Sequence, residues 1–325
     1  MEAKRHMLDG IARMDEGDWL AALAHFEKAV DLRETKEWRE DPEAAWVLAA
    51  AWINRGDVLQ KLGRHTEGVH ALDRGIEAMA HVSLDRNPSC AGRLVLAWIK
   101  RGTACGEAGK TIEALAGFAA AEGLLETWAA DLGPDAPMMA SMLHANRARL
   151  LLDLGKTVDG WKDAGTAVEL LKPLQSEGVA AVAAIKAHGI LCRALAMLLD
   201  EPGGTKLVED WIASATNAAE EALALVRSSG YRREWVADLV RYGARIYRAC
   251  QPHFLGEFIC EWVAGKGPLA GDEALKREML EQLQLAKAEL GQRVRLYAHD
   301  DGQMARSMQI LASFQFAEKL LATSA

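Results

Sequence analysis

The 325-residue sequence predicts an all-α protein built as an array of stacked helical hairpins, with a lengthened repeat and a helical cap toward its C-terminal end. Three observations carry that expectation. The hexapeptide AWINRG at 51–56 returns as AWIKRG at 97–102. Gly17, Gly63, Gly109 and Gly155 stand 46 residues apart, and so do Arg55, Arg101, Arg147 and Arg193. Half of the residues are apolar, about a quarter are charged and only eight are proline, so the chain is globular rather than disordered. A regular period of this size marks supersecondary units that bury their apolar faces only against their neighbours.

Each unit reads as two helices. Pro42, Pro88 and Pro134 keep the same 46-residue spacing and suit a first helical turn, where no amide donor is needed. The Gly in MDEGDW, QKLGRH, EAGKT and LDLGKT then ends the first helix and bends the chain into the second. The second helices carry small residues at Ala22, Gly68, Ala114 and Gly160, and again at Ala29, Gly75, Ala121 and Ala167. Positions seven apart share one helical face. A mid-helix Gly costs about 1 kcal/mol relative to Ala, so Gly56 and Gly102 imply a neighbouring helix that must come close. Trp52 and Trp98, one turn earlier, read as core residues between adjacent hairpins.

The period holds through a fifth first-helix, AIKAHGILCRALAMLLD, and then slips. EPGGTKLVED inserts residues, Gly243 falls 49 residues beyond Ala194, and a sixth, divergent hairpin follows. From Gly271 the pattern changes. Leu275, Met279, Leu283, Ala286, Leu290, Val294 and Tyr297 step by three and four, and a last helix is expected from about Gln303 to Leu321. The expected organisation is a solenoid of five to six hairpins over 1–265, regular to about 200, with capping helices over 266–325.

Trp52 and Gly56, followed by Gly63, Gly68, Leu72 and Gly75, resemble the tetratricopeptide repeat, and Trp98, Gly102, Gly109, Ala114, Phe118 and Ala121 repeat the likeness. The resemblance implies a right-handed α-α superhelix. The family's repeat has about 34 residues, and the extra length is expected as longer helices at the far end of each hairpin. LGPDAPMMASMLHANRARLLLDLGK at 132–156 is similar to the inter-repeat stretch of kinesin light chains, including those that accompany bacterial tubulins, although the heptad coiled coil that joins a light chain to its motor is missing.

Several classes of function find no support. The formal net charge of −8 argues against nucleic acid binding over the surface. Five cysteines without a CxxC pair read as buried free thiols. MEAKRHMLDG lacks the apolar core of a signal peptide. The longest strictly apolar run, Ala44 to Ile53, is ten residues against the about 20 of a membrane span, so a cytoplasmic location is expected. ACGEAGKT at 104–111 loosely matches a phosphate-binding loop, but Gly-Lys-Thr recurs one period later in DLGKT and belongs to the repeat turn. Neither His65 with His70 nor the HDD at 299–301 has the spacing of a metal site, and no nucleophile or paired-acid arrangement is present. No cofactor, metal or catalytic residue is expected.

The resemblance places a peptide-binding groove on the first helices, at Ile53, Asn54 and Asp57, at Ile99, Lys100 and Thr103, and at Ala145, Asn146 and Arg149. Asn54 and Asn146 match the family's backbone-binding asparagine, and Lys100 departs from it. The chosen groove set is Asn54, Asp57, Lys100, Thr103, Asn146 and Arg149. A second candidate is the segment 227–250, with six Arg against two carboxylates. On a helix there, Trp235, Leu239, Tyr242, Ile246 and Ala249 would face inward. Arg241, Arg245 and Arg248 would share another face with Glu234 and Asp238, as a salt-bridged surface or as a docking patch for an acidic protein tail or anionic lipid. The expected function is a non-enzymatic scaffold for a protein or peptide partner, such as a tubulin-like filament. The alternative is a helical-repeat receptor for a short peptide or small ligand.

Overall fold

The structure is a computed structural model that describes residues 2–174, 178–200, 208–229, 233–263, 268–296 and 301–323. Among them are fourteen α-helices, three short 3₁₀ turns and no β-strand. The chain divides into two compact units, Met1–Leu154 and Gly155–Ala325.

The first unit holds α1 (Glu2–Glu16), α2 (Trp19–Arg33), α3 (Pro42–Lys61), α4 (His65–Met79), α5 (Ala91–Glu107), α6 (Thr111–Leu132) and α7 (Asp135–Asp153). The hairpins are α1–α2, α3–α4 and α5–α6, and each second helix packs on the next first helix. Gly17, Gly63 and Gly109 make the hairpin turns of this unit. Gly17, Gly63, Gly109 and Gly155 all have φ between 71° and 78°, a left-handed conformation that side chains resist. At Gly63 the amide donates to Gln60 and the next amide, of Arg64, to Leu59; Gly109 and Lys110 donate to Gly106 and Cys105 in the same way. This pair of bonds satisfies the last carbonyls of the first helix and sets the second helix going at once.

The close approach expected at Gly56 and Gly102 is present. A Cβ on Gly56 would lie 2.7 Å from Leu72, and one on Gly102 would lie 2.9 Å from Phe118 and 3.0 Å from the Ala114 carbonyl. Leu72 and Phe118, with Phe26, are the bulky residues between the two small columns, and all three are buried. Trp52 is buried and Trp98 partly so, each within the core between hairpins.

The extra residues of the long repeat are shared between longer helices, as expected, and longer connections. The α2–α3 and α4–α5 connections, 34–41 and 80–90, carry 3₁₀ turns at Lys36–Arg39 and Pro88–Cys90, while α3 at 20, α6 at 22 and α7 at 19 residues take their share as helix. The reason is apolar: Trp38 and Val82 in these connections are buried, so the longer linkers fold back over the ends of the helices. Pro42 opens α3 behind an Asp41 cap, whereas Pro88 opens a 3₁₀ turn and Pro134 precedes α7.

The second unit holds α8 (Thr157–Leu171), α9 (Gly178–Asp200), α10 (Val208–Ser229), α11 (Arg233–Cys250), α12 (Pro252–Trp262), α13 (Glu273–Leu296) and α14 (Asp301–Thr323). Gly243 lies against Phe258, 3.0 Å from a built Cβ, so the divergent sixth hairpin keeps the small-against-bulky contact of the regular ones. Leu275, Met279, Leu283, Ala286 and Leu290 form the buried face of α13, and Tyr297 lies outside the described residues. The stretch Val179–Leu199 in α9 is long and apolar enough to cross a membrane by length and composition, which a count of uninterrupted apolar residues had not revealed. In the fold, α9 packs against α8, α10 and α11 and buries Ala184, Ile185, Ala187, Cys192 and Leu195.

Opposite signs are expected for two glycine substitutions. Gly102→Ala should destabilise the chain by about 1–3 kcal/mol through overpacking against Phe118. Gly123→Ala, at an exposed position in α6 with open space around it, should stabilise by about 0.5–1 kcal/mol. Urea unfolding of the two variants beside the parent measures both.

Candidate functional site

The groove candidates fall in two columns one helical turn apart, Asn54, Lys100 and Asn146 beside Asp57, Thr103 and Arg149, on α3, α5 and α7. All six are half-buried. The structure joins them across helices. Lys100 Nζ donates to Asp57 Oδ2 at 2.5 Å, linking α5 to α3, and Arg149 donates to Glu107 Oε1 at 2.9 Å, linking α7 to α5. His65 Nδ1 lies 3.0 Å from the other Glu107 oxygen, near enough for charge pairing but off the line of a hydrogen bond. Thr103 donates to the Ile99 carbonyl and Asn146 to the Met142 carbonyl within their own helices. Asn54 has no side-chain hydrogen-bond partner among the described residues. Ile53 and Ile99, expected in the groove, are instead buried in the core. Ile53 meets Gly75 of α4 so closely that an added Cβ there would lie 2.8 Å away, so it faces the second helix of its own hairpin, and Ile99 is enclosed in the same apolar cluster. Glu107 and His65 were missed; their signal was a carboxylate one turn beyond Thr103 and a His directly after a repeat turn.

The arginine column has a structural role. Arg55 pairs with Glu27 of α2 at 3.2 Å, Arg101 with Asp73 of α4 at 2.5 Å and Arg147 with Glu122 of α6 at 2.8 Å, so each ties a first helix to the second helix of the preceding hairpin. Arg55 also sits 4.9 Å from the Trp52 ring centre and Arg101 5.5 Å from that of Trp98. Half-exposed pairs of this kind each contribute about 0.2–1 kcal/mol.

Of the basic segment 227–250, Arg227 lies in the last turn of α10 and pairs with Glu261 of α12, residues 230–232 lie outside the described residues, and α11 begins at Arg233. On α11 the buried band is Val236, Leu239, Val240, Ala244, Ile246 and Tyr247, broader than expected, and Ala249 is exposed. The reason is that α11 packs against α9, α10, α12 and α13 together. The side chains of Glu234 and Trp235 lie outside the described ones. Arg241 pairs with Asp238 on its own helix and with Glu278 of α13, and Arg248 with Glu289 of α13 at 2.8 Å. The hydrogen bond from Arg241 to Glu278 holds its guanidinium pKa above the ordinary value. With Arg245, these residues line a cavity of about 380 Å³ against Glu278 and Glu281.

The Gly-Lys-Thr at 109–111 joins α5 to α6, follows a helix rather than a strand, and has the amides of Gly109 and Lys110 already donated to α5 carbonyls. His70 lies edge-on to Trp52 at 6.3 Å and makes no cluster with His65. Of the HDD triplet, His299 and Asp300 lie outside the described residues and Asp301 opens α14.

No protein-family profile and no curated protein matches the chain. Among solved structures, the apo form of RapI aligns with 99% of this chain and 100% of its own at a TM-score of 0.54 and 12% identity. The likeness is one of fold. The tetratricopeptide-repeat domain of P58(IPK) is matched at 16% identity over 100% of this chain and 99% of that one, with a TM-score of 0.16 that carries no weight. The architecture is thus an all-α array of helical hairpins that shares its fold with RapI.

None of the five cysteines forms a disulfide, and Cys105 and Cys192 are buried as expected whereas Cys90, Cys250 and Cys260 are only partly so. Burial pushes the Cys192 thiol up to about 12 and the Cys250 thiol up to about 11, and raises those of Cys105 and Cys260. A raised thiol pKa lowers the thiolate fraction that reacts at neutral pH. Native protein at pH 7.5–8 should therefore alkylate Cys105 and Cys192 far more slowly than urea-unfolded protein, as mass spectrometry of iodoacetamide-treated peptides will show. Calorimetry with millimolar ATP should give no saturable isotherm, and Lys110→Ala should behave as the parent does.

Proposed function

We propose that the protein is a non-enzymatic interaction scaffold whose first unit binds an extended segment of a partner protein along α3, α5 and α7. The observation that carries this reading is the unpartnered Asn54 amide, which stands in line with two half-exposed cross-helix ion pairs. An extended backbone offers the donor and acceptor that a side-chain amide can pair with, and it leaves alternate side chains to meet the charges. Asp57 with Lys100 and Glu107 with Arg149 balance in sign, so the favoured segment is one of mixed charge that exchanges these pairs for its own. We place the site here rather than on α11, because Arg241 is held by two carboxylates at once, Asp238 and Glu278, and Arg248 is only 14% exposed, whereas among the described residues Lys100 and Arg149 each pair with one carboxylate and Arg149 stands at 43%.

A tubulin-like filament is the partner suggested by the 132–156 stretch, whose sequence likeness to kinesin light chains is the support for it. The alternative, a receptor for a short peptide, is favoured by one finding: the whole-length likeness of fold is to a structure described as an apo form.

The expected outcome is that peptides selected from a displayed library on the parent protein lose binding to the triple variant Asn54→Ala, Lys100→Glu, Arg149→Glu by about tenfold or more, or about 1.4 kcal/mol. The helical circular dichroism should be unchanged. Affinity equal to that of the parent moves the site off these helices.

A further inference from the structure

A second site lies at the other end of the first unit, in residues the groove does not use. His6 and Asp9 are one turn apart on α1, and His25 faces them from α2. The two Nδ1 atoms of His6 and His25 are 3.1 Å apart, their rings are tilted by 44°, and Asp9 Oδ2 lies 4.0 Å from His25 Nδ1. All three ligand atoms fall within 4.8 Å of one another, and all three side chains are half-buried. We propose that His6, Asp9 and His25 bind a divalent transition-metal ion of the zinc class and so clamp α1 to α2.

The geometry suits such an ion. Bonds of about 2.0–2.1 Å at a tetrahedral centre hold neighbouring ligand atoms about 3.3 Å apart. The imidazole pair is already near that separation, and Asp9 closes the remainder by turning about its side-chain bonds. Between two facing Nδ1 atoms there is room for one proton at most, whereas a cation satisfies both lone pairs and the carboxylate beside them. Two imidazoles and one carboxylate favour zinc, cobalt or nickel over calcium or magnesium, which take oxygen ligands. Three protein ligands leave a fourth position for water.

The helices that carry the ligands are held in register without the ion. The Gly17 turn joins them with its paired backbone bonds, and the Asp18 side chain accepts from the Ala21 amide at the start of α2. A Cβ on Gly10 would lie 2.7 Å from the Phe26 ring, so the helices already touch one residue beyond Asp9 and one beyond His25. The ion therefore meets a preformed pair of imidazoles rather than assembling them. The sequence signal was a His-x-x-Asp on one helix with a single His on the next, and linear spacing did not connect the two.

The test uses the full chain stripped with chelator and titrated with ZnCl₂ by calorimetry and with CoCl₂ by absorption. The expected result is one ion per chain, with visible cobalt bands and no thiolate charge-transfer band. Zinc at a hundredfold excess over Kd should raise Tm by about 4 °C. His25→Ala and His6→Gln should each abolish the isotherm while retaining the parent's helical circular dichroism, and Asp9→Asn should weaken it. Two substitutions in different helices guard against one failing to fold. The proposal is overturned if the parent takes up neither ion, if the His6→Gln and His25→Ala variants bind as the parent does, or if cobalt shows the thiolate band that would place it on a cysteine.

Discussion

How closely two helices of one hairpin can approach governs most of this structure. At Gly56 and Gly102 the first helix has no side chain, and the bulky residue of the second, Leu72 or Phe118, fills the space a Cβ would take. Gly117 answers from the other side, since a Cβ there would lie 3.1 Å from the Gly102 backbone. The cost of glycine in a helix is about 1 kcal/mol, and it is offset by packing that neither helix could make alone. The same contact between Gly243 and Phe258 in the second unit shows that the rule outlasts the 46-residue period.

Once the hairpins are closed, charge organises what lies between them. The arginines directly before the small position reach back to Glu27, Asp73 and Glu122 on the preceding second helices, and two of them lie over the tryptophans one turn away. The next columns over, toward solvent, join first helix to first helix through Asp57 with Lys100 and Glu107 with Arg149. Staple and candidate binding surface are thus adjacent faces of one helix. Exposure separates the two sets at Arg149 alone, which stands at 43% against 18% for Arg101, whereas Lys100 at 26% and Asp57 at 24% are no more open than Arg55 at 22% and Glu27 at 45%. A more exposed pair is more heavily screened and more readily exchanged for an incoming group.

The second unit uses charge differently. Its α11 is packed by four helices, so the arginines that one helical wheel assigns to solvent find carboxylates on α13. A wheel drawn for one helix has one inside and one outside. A helix with several neighbours has no such division, and for that reason the buried band of α11 is wider than its heptad-like pattern implied and Ala249 stands outside it.

Local backbone rules were legible in the sequence by itself. The positive-φ glycine turns, the small and bulky columns of the second helices and the apolar stripe of α13 depend on residues a few positions apart, and such contacts repeat with the period. The six candidate positions, placed through the family resemblance, likewise fall in columns on α3, α5 and α7, because a periodic helix carries a column of residues on one face. Only tertiary structure decided what those residues touch. That Lys100 meets Asp57, that Glu107 serves both Arg149 and His65, that Ile53 and Ile99 turn into the core and that His25 comes to face His6 all depend on the distance and rotation between helices. Those quantities are set by the volumes of side chains packed from both sides, a balance that no spacing along the chain records.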